Sequence, residues 1–102
     1  MKHFLPTPPK EFSVLAETER SQLATMSLDP DERVGDSENR HDAADQWVYV
    51  IAGSGRAVVG NNEAVPLEPG TVLLIEAGET HEIRNLDTGP LELLNFYAPP
   101  VY

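Results

Sequence analysis

The chain has 102 residues, 40% hydrophobic and 24% charged, a balance that fits one globular domain with one core and excludes a disordered chain. Seventeen acidic residues against seven basic ones give a net charge of -10, which repels phosphate backbones and anionic lipid, so no nucleic acid and no membrane partner is expected. With no cysteine, disulfides, thiol nucleophiles and thiolate metal sites are excluded, and any metal must be held by histidine, carboxylate or amide groups.

Met1-Lys2-His3-Phe4-Leu5-Pro6 lacks the apolar centre of a signal peptide. No apolar run reaches the roughly 18 residues needed to span a bilayer, so a cytoplasmic protein is expected. Pro6, Pro8 and Pro9 make residues 1–10 an extended segment lying along a surface or a partner. Between Glu11 and Leu28 the alternation of Ala24, Met26 and Leu28 favours two strands over a helix. Asp29-Pro30-Asp31 is a turn signal, and Gly35 to Asp45, with almost nothing apolar to bury, is expected to be loop.

Trp47 to Ile51 is dense in aromatic and β-branched residues and reads as a strand entering a Gly53-Ser54-Gly55 turn. Arg56 to Val59 returns, and Gly60-Asn61-Asn62 supplies a second hairpin, since Gly and Asn accept positive φ. Short strands follow at Ala64-Val65, Thr71 to Ile75, His81 to Leu86 and Leu91 to Tyr97, separated by Glu68-Pro69-Gly70 and Gly89-Pro90. Six to eight short strands without a helix predict an all-β barrel or sandwich.

Strand alternation puts Trp47 and Tyr49 on one face and Gln46, Val48 and Val50 on the other. Asn95 and Tyr97 share a face of the last strand and are candidate substrate-binding groups in the interior. Asn85 is expected to pin a turn through side-chain to backbone hydrogen bonds. Glu63, Glu68, Glu79, Glu82 and Glu92 read as a solvated face. No G-x-S-x-G elbow, phosphate-binding glycine loop or H-E-x-x-H pair occurs, so serine-hydrolase and nucleotide-transfer chemistry are not supported.

The stretch from Gly70 to Asn85 resembles the second motif of the cupin family, G-x5-P-x-G-x2-H-x3-N. Gly70, Gly78, His81 and Asn85 match, and Glu76 stands where the family has proline. The stretch from Asn39 to Gly53 resembles the first motif: His41 fits its second histidine, while Asn39 and Gln46 replace its first histidine and its glutamate. The resemblance implies a single small jelly-roll β-barrel over residues 1–102, best matched over 34–97, with a divalent transition metal (Zn, Ni, Fe, Mn or Co) inside. Its implied ligands are His41, Gln46 and His81, with Asn39 as an optional fourth.

A neutral amide in place of a carboxylate lowers affinity for a hard cation. The implied activity is that of a metal-dependent oxygenase, or of an isomerase, epimerase or lyase using the metal as Lewis acid. No general base is identified; Glu38 and Asp42 are exposed candidates. The rival expectation is a metal-free module binding a sugar or another small polar metabolite, and a third is a structural dimerisation domain. A homodimer is expected from Trp47, Tyr49 and the apolar segment Ala98-Pro99-Pro100-Val101-Tyr102.

Overall fold

Apolar and polar side chains alternate along most strands, and each strand turns its apolar phase toward one interior. The computed structural model describes residues 1–6, 12–40, 43–61 and 63–102, residues 36–40 through their backbone alone. Nine strands occur among the described residues: β1 Ser13–Glu17, β2 Gln22–Leu28, β3 Arg33–Arg40, β4 Asp45–Ala52, β5 Gly55–Val59, β6 Val65–Leu67, β7 Val72–Ile75, β8 Thr80–Asn85 and β9 Leu91–Ala98. They form two antiparallel sheets, one ordered β1-β2-β9-β4-β7 and the other β3-β8-β5-β6. This is the all-β jelly-roll architecture expected from the sequence, built as two facing sheets. No described helix is long and apolar enough to cross a membrane.

The interior face of the larger sheet is graded from end to end. One cross-strand row contains Gln22, Tyr97, Gln46 and Ile75, the next Ala24, Asn95 and Val48, then Met26, Leu93 and Val50, and finally Leu28 with Leu91. All these residues, Ile75 on the edge strand included, are buried. The sheet therefore carries polar groups at one end of the interior and an aliphatic core at the other. From the opposite sheet His81, Ile83 and Asn85, alternate residues of β8, point inward.

Gly53 closes the β4–β5 turn with φ at +88°, and an added Cβ would collide with the carbonyl oxygen of Pro90 and lie 2.9 Å from Leu91 Cα. Only glycine satisfies both constraints. Where the sequence predicts a loop, residues 35–40 instead belong to β3. This strand is at an edge and pairs with β8 through its backbone, with a register shift between Asp36 and Arg40. An edge strand needs no strict apolar alternation, because its ladder hydrogen bonds to one neighbour hold it in place.

Candidate functional site

The turn before β8 sets the position of His81. Gly78 adopts φ of +86° and the Glu79 N–H donates to the Glu76 carbonyl at 3.0 Å. Glu76 replaces the proline of the family motif, and its own N–H donates to Glu79 Oε1 at 2.9 Å. Proline has no such donor, so here the turn is held by a side-chain bond instead of a ring. The Ala77 N–H donates to Asp45 Oδ1 at 2.9 Å, tying this turn to the start of β4. His81 follows on β8, 4% exposed, one residue after Thr80 pairs with Arg40 of β3.

His81, Gln46 and Tyr97 line a cavity of about 270 Å3 between the two sheets. Its remaining described walls are Met26, Val34 and Ile83 on the aliphatic side and Phe12 and Tyr102 on the aromatic side. No Lys, Arg, Asp or Glu is among these residues. Gln46, next to Tyr97 in register, donates from Nε2 to Asn95 Oδ1 at 3.2 Å. Gln46 Oε1 and Asn95 Nδ2 are both buried and have no hydrogen-bond partner among the described residues. Burial, and then Tyr102 through its charge and a hydrogen bond, push the Tyr97 hydroxyl well above the usual tyrosine range. Tyr97 is therefore a neutral phenol at physiological pH.

The C-terminal residues close one side of this cavity. Gln22 Oε1 accepts from the Val101 and Tyr102 N–H groups at 3.1 and 2.9 Å, while its Nε2 donates to the Tyr102 carbonyl and to Glu17 Oε2. The clasp holds the Tyr102 ring 4.7 Å from the ring of Phe12 and 5.3 Å from that of Tyr97. Sequence reasoning overlooks Gln22, although it stands in the same strand phase as Ala24, Met26 and Leu28. A polar residue continuing an apolar phase is the signal that could have found it.

Of the residues singled out from the sequence, Gln46, His81 and Tyr97 share the cavity, and Asn95 joins them through Gln46. His41 lies outside the described residues, as do Pro8, Pro9, Asp42 and Asn62. Asn39 and Glu38 are placed only by backbone, on β3 where its register against β8 shifts. No group of three or more His, Cys, Asp or Glu residues suited to a metal occurs among the described residues. Trp47 and Tyr49 face outward, opposite Gln46, Val48 and Val50, as alternation predicts.

A family profile described as a cupin domain matches residues 24–97. The chain is 32% identical over 72 residues to a Thermotoga maritima protein named oxalate-binding protein, covering 71% of this chain and 57% of that one. It thus spans little more than half the length of this curated relative. A Bacillus halodurans crystal structure superimposes with a TM-score of 0.86 at 27% identity, over 92% of this chain and 74% of that one. A predicted oxalate decarboxylase from Thermotoga maritima does so with a TM-score of 0.78 at 26% identity, over 87% of this chain and 79% of the other. With the family profile spanning most of its length, the chain belongs to the cupin family.

Proposed function

We propose that the protein binds a small molecule in the cavity between its sheets, with Gln46 and His81 supplying the polar contacts. The observation that carries this reading is Gln46, which lines an otherwise largely apolar cavity and whose buried Oε1 has no described partner. A buried acceptor left unpaired costs about 1–3 kcal/mol, a cost that a ligand donor would remove. The names of two relatives, an oxalate-binding protein and a predicted oxalate decarboxylase, support a small-molecule ligand in general terms. In the test, a panel of small metabolites including oxalate is screened by thermal shift. A stabilising compound whose effect is lost in Gln46→Met supports the reading; no stabilisation by any compound, or stabilisation that the variant retains, contradicts it.

A second reading is favoured by the pairing of an imidazole and a free amide oxygen in one cavity. Gln46 and His81 fit two positions of a divalent metal's shell, and His41 would be the third ligand, with Asn39 as a fourth. The described pair alone is too few for a resident ion, so this reading depends on His41. A metal there would act as a Lewis acid toward a substrate oxygen, in oxygenase or isomerase chemistry. Around it, Gln46 would be oriented by Asn95, and Tyr97 would remain protonated. Elemental analysis of untagged protein tests it: stoichiometric transition metal that disappears in His81→Ala is expected, and metal-free protein that takes up no added metal sinks it.

The homodimer is proposed on the outer face of the larger sheet. There Trp47 stands in register between Phe96 and Leu74, and Tyr49 between Leu94 and Val72. These rows carry no charge, which matters in a chain of -10, because two copies associate only where their acids do not oppose one another. Sedimentation should give a dimer at micromolar concentration that Trp47→Glu dissociates; a wild-type monomer removes the proposal.

A further inference from the structure

The composition of the cavity walls restricts the class of ligand, a step that rests on the small-molecule reading above. We propose that the cavity takes an uncharged, ring-sized molecule carrying a hydroxyl or N–H donor, with the donor on Gln46 Oε1 and the ring against the aromatic wall.

Size permits it. The cavity of about 270 Å3 exceeds the roughly 150 Å3 of an engineered apolar cavity that binds benzene. The aromatic wall also suits a ring: Phe12 and Tyr97 have centroids 6.5 Å apart at 60°, Phe12 and Tyr102 4.7 Å at 53°, and Tyr97 and Tyr102 5.3 Å at 70°. Such edge-to-face and tilted packing is the arrangement that one more ring extends favourably. Tyr102 is held in place by the Gln22 clasp yet remains 59% exposed, so the wall stands at the mouth of the cavity.

Hydrogen-bond polarity selects the donor. Gln46 Nε2 is committed to Asn95 Oδ1, which leaves Gln46 Oε1 and Asn95 Nδ2 open; of the two residues only Gln46 lines the cavity, so its carbonyl oxygen is the group a ligand meets. An acceptor requires a donor, and a dicarboxylate such as oxalate, ionised at neutral pH, has none. A dianion would also shed its hydration in a cavity whose described walls carry no Lys or Arg and one imidazole, His81, too little to balance two charges inside a chain of charge -10. Burying a charge without a countercharge is far costlier than burying a hydroxyl that finds an acceptor.

The test uses the full chain, as purified and again after chelation, with para-fluorophenol, fluorobenzene and oxalate as probes in fluorine and methyl NMR. The expected result is that para-fluorophenol shifts the Met26 and Ile83 methyl signals and binds about five-fold more tightly than fluorobenzene, the worth of one net hydrogen bond. Oxalate should not displace it from the chelated chain. Gln46→Met should abolish the preference for the phenol while fluorobenzene still binds; the wild-type comparison of the two rings stands even if that variant does not fold. Equal binding of the two rings, or displacement by oxalate after chelation, overturns the proposal. If oxalate alone binds, the small-molecule reading survives and this ligand class falls; if no probe binds, this ligand class falls and the metabolite panel decides the small-molecule reading separately.

Discussion

Asn85 and Asn95 are both completely buried, at opposite ends of the same interior, and they use their amides differently. Asn85 donates from Nδ2 to the carbonyls of Leu28 and Gly89 at 2.8 and 2.9 Å and accepts from the Asp87 N–H at 2.8 Å. Every group of that side chain is paired, and it ties the end of β2 to the turn between β8 and β9. Asn95 accepts one bond from Gln46, and its Nδ2 has no described partner. Gln22 and Gln46, in one cross-strand row, repeat the contrast: the first is fully engaged with the C-terminal residues, the second keeps an acceptor open. Fully paired amides are structural parts. Amides with spare capacity beside a cavity cost stability, and their persistence is accounted for if a ligand completes them.

The largest effect that sharpens this comparison is expected from Asn85→Ala. The change leaves two carbonyls and one N–H without their partner, and about 3 kcal/mol of stability should be lost, a fall in Tm of roughly 12 °C or more for a domain of this size. Thermal denaturation followed by circular dichroism measures it; a fall of only a degree or two would remove the structural role given to Asn85.

A smaller effect concerns Tyr97, next to Gln46 in the same row. Its pKa is raised in the folded protein, chiefly by burial, whereas in the unfolded chain a tyrosine loses its proton near pH 10, about its ordinary value. Above that pH the unfolded state binds fewer protons than the folded one, so stability present below it is lost as pH rises. Tyr97→Phe should show a shallower decline of Tm on the alkaline side. Parallel pH profiles for the two proteins would contradict the buried, neutral phenol.

The sequence made much of this legible, for reasons that differ by region. Period-two alternation marks β4 and β9 because each has one buried face, so Gln46 falls opposite Trp47 and Tyr49, and Asn95 and Tyr97 share the interior phase, whereas the interior place of His81 is legible only through the resemblance to the family motif. The Asn85 turn was readable because an asparagine bonds readily to nearby backbone and Gly89-Pro90 follows within five residues. The β3 strand was not readable: its edge position frees it from apolar alternation, and among its described side chains Val34 alone lines the cavity. The role of Tyr102 was also hidden. The apolar C-terminal segment reads as a dimer face, whereas its last ring folds back on Phe12 and Tyr97 of the same chain, through contacts with Gln22 some 80 residues away in sequence. Contacts of that separation leave no local periodicity to read.

The smallest expected change in stability is also the most direct test of the central claim, that the Gln46–Asn95 pair is kept for a ligand and not for the fold. The measurement is the unfolding free energy of the double variant Gln46→Met with Asn95→Leu, which replaces both amides by apolar groups of similar size. Removing both partners together leaves no orphaned bond, so stability should equal or exceed that of the wild type within about 1 kcal/mol. A loss as large as that of Asn85→Ala would contradict the claim and make the pair a structural element like the other.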